Sequence, residues 1–549
     1  MSWLSRVPSI GHAPRDGHGD SAHLLDRWVA PRALPLVVVV LLGLATLGLH
    51  LRYARPGGAH MRGLGPSELV RDEGTVLYDA YRITRGEVMY RDFFEFQTPV
   101  FYATYALLFA VTGPSLPAAR ALAAVFTTLA TLLLADAVSR RAGAIAGVSA
   151  GAFHVLVIVP MWPVAYPHWQ AELFAFAAVW LLLARAPSPR RAVALGALAA
   201  LCALTIQSLG LPLLLALVLG ETADRVAREG RWRGLVGGVH VLAGAAVVTV
   251  PVLVYFAIHG ALDDLLYCTW TWPLAHYAAG NQDAAQYAAY LDDLVAAHAR
   301  LGPGLWQIAE LCLRLVAVLP VVALALGAVA FAWVLWRLAR GAVGPSDAVA
   351  LGVCTAGVVS LFSGKARPDI THLAFQASFG LIALAIVVGR GRRLWATCAL
   401  GLFLAEVAFG AALVHATKAG SVRQAEAPLT FRDALRRNAD QYWCLRGGIL
   451  DRIERDVPRD SPIVVGCLEG YVYLLFRPAA VPHTALPFHD GDNYLEPPQW
   501  RRVADGILRE RPLVVSVMPY QWAQMTLAQP ELREQRGATG FRSLPRASD

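Results

Sequence analysis

Lysine is nearly missing from this chain: among its 48 basic residues only Lys365 and Lys418 are not arginine. Charge of either sign is scarce as well, at 16% of 549 residues, against 56% hydrophobic residues and a mean hydropathy of +0.47. That balance excludes a disordered chain and an ordinary water-soluble enzyme. The net charge of +8 does not make a nucleic-acid binder, because the arginines sit in short runs between apolar segments rather than on one basic face. Cysteine is sparse too, with seven residues and no spacing that matches a zinc site. Cys202, Cys312, Cys354 and Cys398 read as small apolar fillers, whereas Cys444 and Cys467 lie where an oxidising compartment would let them pair. No internal repeat is visible. The basic N-terminus lacks the apolar core and small-residue cleavage site of a signal peptide.

What the chain has instead is apolar runs of bilayer-spanning length, about 18 to 25 residues each. They fall near 34–52, 117–137, 143–160, 168–184, 192–206, 209–220, 235–258, 311–336, 347–363, 373–389 and 394–415. The reading is a mainly α, polytopic helical membrane protein with about eleven crossings. One alternate set of connections carries fourteen arginines (such as Arg140, Arg141, Arg228, Arg337 and Arg390), and the other, the long first loop aside, carries only Arg300, Lys365 and Arg367. By the positive-inside rule the arginine-rich side is cytoplasmic, and the first loop and C-terminal region lie outside. The fifth and sixth runs are short and both flanks are arginine-rich, so residues 192–220 must enter and return as a hairpin around "TIQSLG". Residues 1–33 read as a disordered cytoplasmic tail, 34–419 as the transmembrane module with an external loop at 53–116, and 420–549 as an external α/β domain. Aromatics in the loop at 260–305, Trp270, Trp272 and Tyr277 among them, suit an interfacial belt or a cover over an external site.

The first loop concentrates the charge. In "LVRDEGTVLYDAYRITRGEVMYRDFFEFQTP" a helix starting near Pro66–Ser67 and stopping at Gly86 puts Asp72 on one stripe with Leu69, Val76, Ala80 and Ile83, while Glu73 points about 100° away. Thr98 then caps and Pro99 opens a second short helix. A carboxylate desolvated at a membrane surface is raised toward the range useful for proton abstraction. Spacing alone equally allows Asp72 and Glu73 to be first-turn acids that complement a helix dipole. Lys365, Arg367, Asp369 and His372 in "GKARPDITHL" are a second cluster, suited either to stabilising a developing negative charge or to anchoring a span end. His168 and Glu172 in "YPHWQAELF" are a third, read either as substrate ligands or as helix-start groups. Glu406 lies within the last span, where a carboxylate is costly and faces the bundle.

"RDEGTVLYDAYRITRGEVMYRDFFEFQTPVFYATYALLF" resembles the first external loop of the GT-C membrane glycosyltransferases, in particular bacterial relatives of the protein O-mannosyltransferases and of the lipid A aminoarabinose transferase. The resemblance implies transfer of a sugar, with inversion, from a polyprenyl-phosphate donor to an envelope glycan, lipid or protein acceptor on the periplasmic face of a bacterial inner membrane. It implies Asp72 as base, with Glu73 and Asp92 beside it, and Lys365, Arg367, Asp369 and His372 near the donor phosphate. Glu172 matches a position where relatives carry an acid, and His168 adjoins it. Gln207 stands in the hairpin where many relatives have lysine, and "FQTP" replaces a basic residue and double proline. No cofactor or metal is expected, since monophosphate donors in this family generally manage without one. The alternative is a secondary transporter or a flippase for lipid-linked glycans. A carrier would place ionisable groups at paired broken helices near the midplane, whereas here the acids gather on one face and the halves are unalike.

Overall fold

The computed structural model describes residues 71–185, 187–229, 231–277 and 370–388, parts of 41–48 and 307–340, and most of 430–534. The expected runs at 347–363 and 394–415, most of 34–52, part of 311–336, and Glu406, Cys444 and Cys467 lie outside the described residues.

The described chain is mainly helical. Helix α1 (Arg71–Thr84) ends at Gly86, whose φ of +88° is the left-handed conformation that stops a helix without penalty only at glycine. Helix α2 (Val100–Thr112) follows, then α3 (Leu116–Ala142), opened by Ser115, whose hydroxyl accepts from the Ala118 N–H. Helix α4 (Ala144–Phe153) passes into a π turn (His154–Ile158) and a 3₁₀ turn (Val159–Met161) before α5 (Pro167–Ala184). The hairpin expected around "TIQSLG" is there: α6 (Pro189–Ala203) breaks at 204–206 and α7 (Gln207–Glu229) returns. Its second arm is longer than expected, and its far end carries a buried ion pair of Arg191 with Glu221. Helix α8 (Arg231–Ile258) packs on α6 at close range. A Cβ on Gly196 would lie 1.8 Å from the Val241 carbonyl oxygen, and one on Gly244 would lie 1.9 Å from that of Val193, so glycine at both places sets the spacing. Short α9 (Leu262–Leu266) continues into π turns (Tyr267–Thr271 and Pro273–Tyr277), and α10 (Ile370–Val388) packs against α3.

Two described helical segments, Leu116–Ala142 and Leu235–Ile258, are long and apolar enough to cross a membrane, each containing an 18-residue stretch with a mean hydropathy of 2.0 and 2.4 respectively. The second exposes Val239, Leu242, Val247, Val250, Val254 and Ile258, an apolar surface suited to lipid.

The C-terminal region is α/β. Helices α11 (Phe431–Asn438) and α12 (Ile449–Asp456) lead to β1 (Pro462–Val465), α13 (Glu469–Phe476), β2 (Ala479–Ala480), α14 (Pro497–Glu510) and β3 (Val514–Ser516), then α15 (Pro519–Ala528) and α16 (Glu531–Glu534). The strands form a parallel sheet in the order β2-β1-β3, with Ile463 opposite both Ala480 and Val514. Parallel neighbours need a crossover, and α13 and α14 supply the two. Helix α13 lies directly on α1, so the core of this region is continuous with that of the first loop: Tyr471, Val472 and Tyr473 share one buried cluster with Val76, Leu77 and Tyr78.

Candidate active site

The segment between α1 and α2 is held on both sides. Tyr90 takes a positive φ of 71°, a costly conformation for a bulky residue, and its hydroxyl donates to the Gln97 carbonyl at 2.8 Å across the loop. Arg82 is buried under this segment, paired with Glu87 at 2.5 Å, with its guanidinium 4.4 Å from the Phe93 ring centre. On the other side the loop docks on the hairpin tip. The Thr98 hydroxyl donates to the Ala203 carbonyl at 2.9 Å instead of capping α2, and the Val100 N–H donates to the Leu204 carbonyl at 2.7 Å. Gln207 Nε2 donates to the Phe96 carbonyl at 2.9 Å and to that of Thr269 at 3.3 Å, joining loop, hairpin and the turns after α9.

Glu95 sits at the centre of this junction, and sequence reasoning missed it. It is 3% exposed, and one carboxylate oxygen accepts the backbone N–H of Phe96 at 2.8 Å and of Gln97 at 2.9 Å. Burial pushes its carboxyl up to about 7 against the hydrogen bonds from Tyr102 and these two amides, and the charge of Asp72 adds to the rise. Asp72 and Glu95 are thus within electrostatic reach of each other. Trp272 covers the same place, its ring 5.1 Å from Phe94 and 5.6 Å from Phe96, the residues flanking Glu95. Gln97 completes the lining, accepting from the Tyr102 hydroxyl at 3.3 Å and contacting the Tyr166 hydroxyl at 3.4 Å. The signal available in the sequence was an acid set among three phenylalanines in "DFFEFQ", a context that implies burial.

The expected face of α1 is corrected. Glu73, not Asp72, is the fully buried acid at its start: Glu73 is 0% exposed and Asp72 is half-buried. The Glu73 carboxylate accepts from Arg120 Nε at 2.9 Å and Nη2 at 2.6 Å, from the Ala165 N–H at 2.8 Å and from the Tyr471 hydroxyl at 2.6 Å. With its oxygens occupied by donors from three separate parts of the chain, Glu73 has no lone pair to offer an acceptor. Asp92 is likewise engaged. Its oxygens take the Val88 N–H at 2.7 Å and the Arg91 guanidinium at 2.8 Å, and although burial raises its carboxyl, these hydrogen bonds outweigh burial and leave it below the usual carboxylate range.

The remaining expected residues do not all converge here. Gln207 does. His168, in the first turn of α5, is stacked between Tyr166 at 5.3 Å and Phe375 at 4.2 Å. Glu172 lies deeper, at the sixth position of α5, so it does not cap the helix. It faces His154 Nε2 at 3.2 Å, and His154 Nδ1 contacts the Thr131 hydroxyl at 2.7 Å. Lys365, Arg367 and Asp369 lie outside the described residues, and His372 falls in α10 with its side chain outside them. Among the described residues no three His, Cys, Asp or Glu side chains converge so as to hold a metal ion.

No protein-family profile matches the chain, and no curated protein does. Among solved structures it is similar to ArnT from Cupriavidus metallidurans in the apo state, at 15% identity over 92% of this chain and 94% of that one, with a TM-score of 0.38. It is similar also to ArnT from Cupriavidus metallidurans bound to undecaprenyl phosphate, at 16% identity over 88% and 89%, with a TM-score of 0.36.

Proposed function

We propose that this chain is an integral-membrane glycosyltransferase that moves a sugar from a polyprenyl-phosphate donor to an acceptor hydroxyl or amine at the external face, using Asp72 and Glu95 as an acid pair. The observation that carries this reading is Glu95 itself: a buried carboxyl held near pH 7 beside a second acid, on a loop clamped by Tyr90, Thr98 and Gln207. Structural roles rarely call for such a group, whereas proton transfer at neutral pH does. The acceptor's heteroatom attacks the anomeric carbon while its proton passes to the Asp72–Glu95 pair. The bond from that carbon to the phosphate oxygen breaks, and its electron pair leaves with the polyprenyl phosphate. Lys365 and Arg367 are proposed to meet the phosphate charge, with Gln207 holding the loop against the hairpin. Trp272 and the loop phenylalanines shield Glu95 from water.

The purified full chain, incubated with radiolabelled undecaprenyl-phosphate sugars and envelope fractions, should move one sugar covalently onto an acceptor, and Glu95→Gln and Asp72→Asn should each lose transfer. A carrier for lipid-linked glycans is the second reading, favoured by the ionisable Glu172–His154 pair buried between α5 and the π turn after α4. It predicts movement of label across vesicles with no change in its covalent attachment.

A further inference from the structure

The Glu73 carboxylate draws donors from the helical bundle, from the segment before α5 and from the C-terminal α/β region together. Arg120 comes from the first turns of α3, Ala165 from the segment before α5, and Tyr471 from α13, 398 residues along the chain. All three side chains are buried, Tyr471 and Glu73 at 0% exposure and Arg120 at 2%. The backbone contact beside them is close. A Cβ on Gly470 would lie 2.0 Å from the Gly74 carbonyl carbon, and one on Gly74 would lie 2.8 Å from the Tyr471 ring. Phe431 of α11 covers Arg120 at 4.8 Å, and Tyr473 packs on Tyr78 with ring centres 4.6 Å apart. The C-terminal region therefore touches α1 near Asp72 through the Tyr471 hydroxyl, a glycine contact and the Tyr473 ring, while Phe431 covers Arg120 of α3.

We infer that the C-terminal α/β region is a positioning element of the active site, with Tyr471 acting through Glu73 to fix the rotation of α1 and so the place of Asp72. The inference rests on the reading of Asp72 as a working acid. Neighbouring positions on a helix are about 100° apart, so a carboxylate pinned by four donors at position 73 leaves Asp72 one orientation relative to the bundle. If the hydroxyl of Tyr471 is lost, Glu73 keeps Arg120 and Ala165 but loses its tie to α13. If the region lifts away, Phe431 and Tyr473 leave with it, and Arg120 and Tyr78 are exposed.

The test uses the full chain in nanodiscs with Tyr471→Phe, which keeps the ring and removes only the hydroxyl, and Gly470→Val, which keeps the hydroxyl and forces the helices apart. Hydrogen exchange of residues 71–80 and single-turnover transfer are measured on both, beside Asp72→Asn. Exchange across α1 should quicken by about tenfold or more in each variant, the factor expected when the hydrogen bond to the Glu73 carboxylate is lost, by removal of the hydroxyl in Tyr471→Phe and by separation of the helices in Gly470→Val. Transfer should slow by on the order of 10- to 100-fold in kcat with donor KM little changed, as misplacement of a reacting group would give. A purely structural contact predicts a lower melting temperature with kcat intact, and that outcome overturns the inference, as does unchanged exchange in α1 for both variants. Normal turnover in Asp72→Asn would instead overturn the functional reading, leaving the exchange result to decide whether the C-terminal region orders α1.

Discussion

Gln207 reaches across 111 residues of sequence to donate its side-chain amide to the Phe96 carbonyl at 2.9 Å, one peptide from Glu95. Because the same nitrogen also contacts the Thr269 carbonyl, Gln207 fastens three chain segments that no local propensity would bring together. Gln207→Ala should lower stability by about 1 kcal/mol, the ordinary net worth of such a bond, yet slow transfer disproportionately because the Phe96 and Gln97 amides that hold Glu95 lose their support. A melting-temperature change without any change in transfer would show that Gln207 is only a tie.

Much of this arrangement was legible and some was not, for identifiable reasons. Gly86, the break at "TIQSLG" and the strand "PIVV" each carry a local signal that depends on a few neighbours, and each stands where expected. The rotation of α1 carries no such signal. Residues 73–80 are all buried, because the helix has the bundle and α2 on some sides and α13 on another, so no polar face remains to set the phase. The choice between Asp72 and Glu73 depended on Tyr471 and Arg120, contacts that periodicity cannot see. Thr98 was misread for the same reason, since its cap was displaced by a carbonyl from the hairpin. Glu95 lay in a segment too short for any periodicity, and only its phenylalanine neighbours marked it.

The Glu73–Arg120 pair should be costly to break and cheap to replace. Arg120→Ala leaves a carboxylate at 0% exposure with two donors remaining, and the expected loss is about 3–5 kcal/mol. Replacing both members by apolar residues of similar volume should recover a large part of that loss, because no uncompensated charge is left behind. Thermal unfolding of the two single variants and the double variant measures this directly, and a double variant as unstable as the sum of the singles would contradict it.

Asp92 should behave as a brace. Its contacts to Arg91 and the Val88 N–H shape the turn, and the Arg91 pair is substantially exposed, so Asp92→Asn should cost well under about 1 kcal/mol from that pair, with a further modest loss from the turn. Transfer should stay within a few-fold of wild type while Asp72→Asn and Glu95→Gln are inactive. A dead Asp92→Asn that remains folded would return Asp92 to the list of reacting acids.

The charge of Asp72 should be readable in the titration of Glu95 whether or not any sugar is transferred. Glu95 ordinarily titrates near 4.5 in an unfolded chain and is held at about 7 in the folded protein, so between those values the folded state binds more protons than the unfolded one. The stabilisation from this group is then fully present below about pH 4.5, falls as pH rises, and is gone above about pH 7, a change of at most about 3 kcal/mol. Glu95→Gln should flatten that part of the stability profile, since an amide binds no proton in either state. Asp72→Asn makes a separate and more specific forecast. It removes a like charge that helps raise Glu95, so the upper end of the window should move down from about 7 while the lower end stays put. In transfer assays, where the pair must be ionised to take the acceptor's proton, the wild-type rate should rise through the same upper value. If urea unfolding across pH 4 to 8 gives the same upper limit for wild type and Asp72→Asn, the two acids do not share a site, and Glu95 would have to act alone.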